Sequence, residues 1–238
     1  MTRLPFHTDI HCHVLPDVDH GAKDDEMACK LLERQQAWGL DRIFFTPHVT
    51  EDVYPNDIYS IETACQTFIN NNQSSIPDEI KLDFSAEYRL DSQFKKQLKE
   101  SKIKPLPDNH LLVELPFASN PGEEWIDSIL FEIENRGFKP ILSHPERYLY
   151  FHTRDLKKYI DLHDRCVEFQ INLLSLAGYH GEDENKMALK LIDKGLADYC
   201  ATDLHHFRHV DCIEKYLSSR ACRPTLKKLA ALVKNDKL

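Results

Sequence analysis

Short apolar runs of four to six residues alternate along the chain with stretches whose apolar residues recur every three or four positions, the patterns of buried strands and amphipathic helices. Phe6 to His13 reads as a strand, followed by a loop rich in Pro, Asp and Gly from Leu15 to Gly21. From Asp24, Met27, Ala28, Leu31 and Leu32 keep helical spacing as far as Trp38, and Gly39 stands where a helix end needs a left-handed residue. Further strands are predicted at Arg42 to Thr46, Lys81 to Ala86, Leu111 to Leu115, Lys139 to Ser143, Val167 to Ile171 and Asp198 to Thr202. Helices are predicted between them, around Asp57 to Asn70, Ser92 to Glu100, Arg154 to Leu162 and Glu184 to Lys194. Another carries Trp125, Ile126, Ile129, Leu130 and Ile133 on one face, and one or two helices close the chain.

Such strict β/α alternation predicts a parallel sheet covered by helices, either open and doubly wound or closed into a barrel. With no internal linker and no repeat of fixed period, residues 1 to 238 read as a single domain, and a hydrophobic fraction of 42% supplies its core. The 30 Lys and Arg against 39 Asp and Glu leave a formal charge of -9, which disfavours nucleic-acid binding. No apolar run is long enough to span a membrane and Met1 to Ile10 lacks a secretory pattern, so the expectation is a soluble, cytoplasmic protein.

Composition also removes several chemistries. The seven cysteines form no CxxC pair, and none has an Arg six positions later, so a thiol nucleophile cradling phosphate is not expected. Neither GxGxxG nor GxxxxGK occurs among the seven glycines. What remains is a set of 13 histidines, several beside acids.

In parallel α/β folds the chemistry gathers beyond the carboxyl ends of the strands. The first predicted strand ends in His11 and His13, the second in His48, the third in Glu87, the fourth in Glu114, the fifth in His144 and the last in Asp203 and His205. The sixth ends in Gln170 and Asn172. Residues i and i+2 of a strand share a side, so His11 and His13 can offer two imidazoles to one ion while Cys12 turns to the core. So many ionisable groups buried without a cation would leave uncompensated charge, which points to a multinuclear metal centre. Mixed nitrogen and oxygen ligands suit Zn, Mn or Fe, and bridging carboxylates suit two-metal hydrolysis.

The ordered segments DIHCH (Asp9 to His13), DVDHGAKD (Asp17 to Asp24), TPH (Thr46 to His48), AE (Ala86 to Glu87), VEL (Val113 to Leu115), SHPERY (Ser143 to Tyr148) and TDLH (Thr202 to His205) resemble the PHP superfamily. Within it they most resemble the bacterial CpsB/YwqE-type protein-tyrosine phosphatases. The resemblance implies a distorted (β/α)7 TIM-like barrel, the PHP fold, holding three divalent ions, usually manganese, iron or zinc. It implies that His11, His13, Glu87 and Asp203 surround one ion and that Glu87, Glu114 and His144 hold a second. The third would fall to His20, His48 and His205, with Asp19 an alternative, because relatives often carry Asp where this chain has His20. Arg147 would bind the substrate phosphate, although its position alone favours a surface ion pair with Glu146. Arg208 is the nearest match to a second arginine typical of the loop after DLH.

The implied reaction is attack of a metal-bridging hydroxide on phosphotyrosine, the partner being a phosphotyrosine protein, a bacterial tyrosine kinase tail of capsule or exopolysaccharide synthesis. Alternatives are a histidinol-phosphate type phosphatase for small molecules and a non-catalytic metal-binding module. No residue predicts an oligomeric state. His7, His110, His152, His163, His180, His206 and His209 read as ordinary polar or surface residues, His206 and His209 being near enough to reach the site mouth. The aromatic run Tyr148 to Phe151 reads as loop packing, with a phenyl-sized pocket the other possibility.

Overall fold

The computed structural model describes residues 1–238. It is a mixed α/β fold in which every strand pairing is parallel. The strands are β1 (Thr8–Cys12), β2 (Arg42–Phe45), β3 (His48–Val49), β4 (Lys81–Phe84), β5 (Glu87–Arg89), β6 (His110–Glu114), β7 (Lys139–Ser143), β8 (Glu168–Asn172) and β9 (Tyr199–Ala201). The helices are α1 (Asp25–Ala37), α2 (Ile58–Asn72), α3 (Ser92–Lys99), α4 (Glu123–Asn135), α5 (Lys157–His163), α6 (Leu173–Leu176), α7 (Glu182–Asp193), α8 (Phe207–Ser218) and α9 (Cys222–Leu232).

Local chemistry starts the helices where the sequence places them. Asp24 accepts from the Met27 amide to cap α1, and Asp57 caps α2 through a reciprocal box with Ser60. Gly39, at φ 101°, turns the chain from α1 into β2.

One sheet has the order β1-β2-β4 and the other β3-β5-β6-β7-β8-β9. Two crossings join them. β2 runs through Thr46 and Pro47 into β3, and β4 through Ser85 and Ala86 into β5, with the Glu87 amide donating to the Pro47 carbonyl at 3.1 Å. At the other side Cys12 bridges Leu204 in parallel, the His13 amide donating to the Leu204 carbonyl at 2.9 Å and the Asp203 amide to the His11 carbonyl at 2.8 Å.

An outer apolar core lies between strands and helices, and a smaller inner cluster gathers Ile10, Phe44, Leu112, Ile141, Tyr199 and Ala201. The inner faces carry the site one step further along. Leu112 and Glu114 share a face of β6, and Ala201 is followed at i+2 by Asp203. β1 departs from simple alternation. Its register on β2 shifts between Asp9 and Cys12, a bulge that lets Ile10 join the inner cluster while Cys12, two residues on, joins the outer one. Asp9 then turns outward, where its carboxylate accepts from Gln35 Nε2 and from the Thr202 hydroxyl and locks β1 to the last strand's end.

No helix is long and apolar enough to cross a membrane.

Candidate metal centre

A cavity of about 440 Å³ opens at the carboxyl ends of the strands. Beneath its floor, behind Glu87 and Asp203, His11 and His13 project together, both side chains wholly buried, with their Nε2 atoms 3.1 Å apart. Each ring's other nitrogen is spoken for. His11 Nδ1 lies 2.8 Å from the Gln170 amide oxygen and His13 Nδ1 lies 2.6 Å from Asp19 Oδ2, and both oxygens are acceptors. The Gln170 orientation is fixed by its amide nitrogen donating to the Ile171 carbonyl. Two neutral imidazoles so oriented point bare lone pairs at each other, an arrangement that a cation held between them relieves.

Two carboxylates supply the matching negative charge. Glu87 Oε2 stands 3.4 Å from His11 Nε2 and 3.6 Å from His13 Nε2, and Asp203 Oδ1 stands 3.5 and 3.4 Å from the same atoms. Burial pushes the Glu87 carboxyl upward, but His11 and His48 outweigh it and hold the group well below its usual range. Asp203 is lowered in the same way, burial being overcome by His11 and His13.

Glu87 also faces away from this pair. Its Oε1 lies 2.9 Å from His144 Nε2, with Glu114 Oε1 at 3.6 Å from the same nitrogen. Burial, reinforced by Glu87, drives the Glu114 carboxyl well above its ordinary value. The His144 pKa falls to about 4 through burial and the nearby Arg147 charge. Ligand atoms of His11, Glu87 and His144, and of His48, Glu87 and Glu114, form two compact groups, and His13, His48 and His205 form another.

His20 and Asp19 take different places. His20 is exposed on the cavity wall, its ring stacked on His48 at 5.1 Å and 4.4 Å from the ring of His205, beside the last group rather than inside it. The Asp19 side chain is fully buried and both oxygens are consumed, Oδ2 by His13 and the His48 amide and Oδ1 by the Gly21 amide. It orients ligand candidates instead of facing the cavity.

The donor set fits divalent cations. Imidazole nitrogens and carboxylate oxygens converge, Glu87 Oε2 lying 2.9 Å from His48 Nδ1, and His144 Nδ1 and His205 Nε2 are buried without a hydrogen-bond partner. Support behind the candidate ligands is of the kind metal sites use, Gln170 on His11, Asp19 on His13 and the Asn172 amide on Asp203 Oδ2 at 2.6 Å. His144, at φ 34°, and Asp203, at φ 49°, turn their side chains inward from left-handed backbone that costs non-glycine residues energy.

Matched against known families, residues 7–229 fit the model described as capsular polysaccharide synthesis, CpsB/CapC. The chain belongs to the CpsB/CapC family. Among its CpsB/CapC relatives, CapC of Staphylococcus aureus is 30% identical over 97% of this chain and 89% of that protein. The tyrosine-protein phosphatase YwqE of Bacillus subtilis is 28% identical over 84% of this chain and 78% of YwqE. The tyrosine-protein phosphatase CpsB of Streptococcus pneumoniae is 27% identical over 83% of this chain and 82% of CpsB. A crystal structure from work on YwqE and CpsB, there called metal-dependent tyrosine phosphatases, superposes with a TM-score of 0.74 at 24% identity, covering 96% of this chain and 94% of that one.

The structure sorts the remaining candidate residues, placing Arg147 where the resemblance implied it and not where its position alone favoured. Arg147 does not pair with Glu146; it lines the cavity, with Nη1 3.4 Å from Asp203 Oδ2 and its guanidinium 4.7 Å from the centroid of the Phe117 ring. Glu146 is buried and accepts from the Asn172 amide instead. Arg208 is exposed on α8 and is not part of the cavity wall, whereas Arg89 is. His180, read as an ordinary polar residue, also lines the cavity, and so do His206 and His209, which the sequence placed within reach of the site mouth, together with Phe117, Tyr54 and Tyr179. Tyr148 and Tyr150 spend their hydroxyls on the Leu115 amide and the Pro116 carbonyl, so the aromatic run packs its loop.

Proposed function

We propose that this chain is a metal-dependent protein-tyrosine phosphatase acting in the cytoplasm on a bacterial tyrosine kinase tail of capsule or exopolysaccharide synthesis. The observation that carries the reading is the convergence of His11, His13, Glu87 and Asp203 around one point with Arg147 on the adjoining wall. The family supports the substrate, since YwqE and CpsB are tyrosine-protein phosphatases.

In this reading residues 1 to 238 form one domain and the two sheets make one distorted (β/α)7 barrel, with β2 and β3 acting as one stave and β4 and β5 as another. The Cys12–Leu204 bridge supports closure between the first and last staves. Three divalent ions, manganese, iron or zinc, would be held by His11, His13, Glu87 and Asp203, by Glu87, Glu114 and His144, and by His48 and His205 with His20, which stands on the wall beside them, as the third ligand. When bound, they supply Lewis acidity, which neutralises phosphoryl charge and lowers the pKa of water.

The protein's own residues do the rest. Arg147 forks two phosphoryl oxygens, and Phe117 under its guanidinium keeps the fork turned into the cavity. Asn172 holds Asp203 from behind, so that its other oxygen stays directed at the histidine pair. A phenolate leaves readily because its conjugate acid has a pKa of about 10, so the site needs less help from a proton donor than a phosphoserine would demand.

The reading is tested by phosphate release from a phosphotyrosine peptide, a phosphoserine peptide and histidinol phosphate, by wild type and Arg147→Ala. Activity confined to the phosphotyrosine peptide and lost in the variant is expected. Preference for histidinol phosphate would move the site to small-molecule chemistry.

A further inference from the structure

The cleft wall carries a second guanidinium. Arg89 reaches the cavity from β5, and strand alternation commits it there. Glu87 and Arg89 share one face of that strand, while Tyr88 between them is buried on the other side with its hydroxyl on the Lys104 carbonyl. Arg89 therefore stands roughly 6.5 Å further along the strand than Glu87, toward the mouth of the cleft. Its neighbour in register on β6 is Glu114, yet the two make no ion pair. Arg89 pairs with no carboxylate and donates no side-chain hydrogen bond within the protein.

A half-buried guanidinium has given up part of its hydration, and five N–H donors in a fixed plane are costly to leave without acceptors. Arg147 differs, since it already meets Asp203 and Phe117. Arg208, on the exposed side of α8, leaves Arg147 and Arg89 as the arginines of the cavity wall.

We infer that Arg89 is a substrate-binding residue whose guanidinium takes an oxyanion of the bound phosphopeptide. The inference rests on the phosphatase reading above. Two sources offer this chemistry, the phosphoryl group itself and the carboxylate of an acidic residue beside the phosphotyrosine. The outward position of Arg89 relative to Glu87 favours the carboxylate.

The test uses metal-loaded wild type, Arg89→Gln and Arg89→Lys, with kcat, KM and bound metal measured for each. Substrates are a phosphotyrosine peptide with acidic flanks, one with neutral flanks, and 4-nitrophenyl phosphate. Arg89→Gln is expected to raise KM on the order of tenfold for the acidic peptide alone, with kcat and bound metal within about twofold of wild type and Arg89→Lys between the two. A similar rise for all three substrates assigns the oxyanion to the phosphoryl group. Unchanged KM throughout, or a fall in kcat together with lost metal, would overturn the inference and make Arg89 a support for Glu114. If wild type hydrolyses none of the substrates, the phosphatase reading fails separately. Calorimetric binding of the same peptides then decides for Arg89, weaker binding by Arg89→Gln sustaining the inference and equal binding sinking it.

Discussion

Asp19 Oδ2 lies 2.6 Å from His13 Nδ1, and this contact leaves Nε2 as the nitrogen that His13 turns toward His11, Glu87 and Asp203. The same oxygen accepts from the His48 amide, so one carboxylate aligns the HxH strand end with the strand that follows. Asp19→Asn keeps the shape but exchanges a charged acceptor for an amide. Metal affinity is expected to fall about 10- to 100-fold, as for other residues that orient ligands, while the fold survives. Metal titration of the purified variant against wild type measures it, and unchanged affinity would show that His13 needs no such alignment.

Arg147 should act through its planar fork and not its charge alone. Arg147→Ala is expected to lower kcat/KM by about 100-fold or more, and Arg147→Lys to restore only a small part of the loss. Steady-state kinetics with a phosphotyrosine peptide provide the comparison. Full rescue by lysine would reduce the role of Arg147 to a point charge.

Gly21 closes the loop that carries Asp19 and His20. A Cβ at this position would meet the His13 carbonyl oxygen at 1.9 Å, backbone that cannot step aside without moving the HxH strand. Gly21→Ala is therefore expected to destabilise the protein by more than about 2 kcal/mol and to lose bound metal. Denaturant unfolding and metal analysis test both parts, and a variant as stable as wild type would contradict the packing described.

Far from the cavity, the carboxylate of Glu168 ties the chain's last turn to the strands. It accepts from Lys234 Nζ and the Tyr199 hydroxyl and faces His110 Nε2 at 3.0 Å. Burial pushes its pKa up, but His110 and Lys234 prevail and bring it down to about 2 from 4.5. A depressed carboxyl contributes stability that is fully present above its unfolded pKa and lost as pH falls through the folded one, here from about 4.5 toward 2. Screened by solvent at a half-buried site, that contribution is worth about 1 to 2 kcal/mol. Glu168→Gln should lower the melting temperature at neutral pH, the gap to wild type closing as pH drops through this window. A constant gap would show that titration of Glu168 is not the source.

Much of this fold is legible in the sequence because its longer helices keep an apolar face, the first three helices open on the capping aspartates Asp24, Asp57 and Asp91, and most strands are bounded by turn residues. The helix from Asp25 is marked by Asp24 and Gly39, and Lys139–Ser143 is found with its ends intact. The strands His48–Val49 and Glu87–Arg89 escape, since two or three residues carry no periodicity, and yet they bring His48, Glu87 and Arg89 to the cavity. The short helix Leu173–Leu176 escapes for the same reason, and it delivers the loop that puts His180 on the wall.

The candidate ligands are legible because strand ends converge whatever the detailed backbone. What no pattern announces is the left-handed backbone of His144 and Asp203, which turns both inward without a glycine. Arg89 was within reach of the same i, i+2 argument that pairs His11 with His13, applied outward from Glu87. The failure at Arg208 is one of helix phase: α8 begins at Phe207, and its first turn swings Arg208 outward while His209 is buried beside His205.

The most direct test of the central claim is phosphate release from a phosphotyrosine peptide by protein stripped of metal and then titrated with manganese, iron or zinc. The account predicts no turnover when stripped, recovery with at least one of these ions, and no recovery in His11→Ala or Glu87→Gln. Turnover by stripped protein equal to that of loaded protein, or none under any loading, would contradict it.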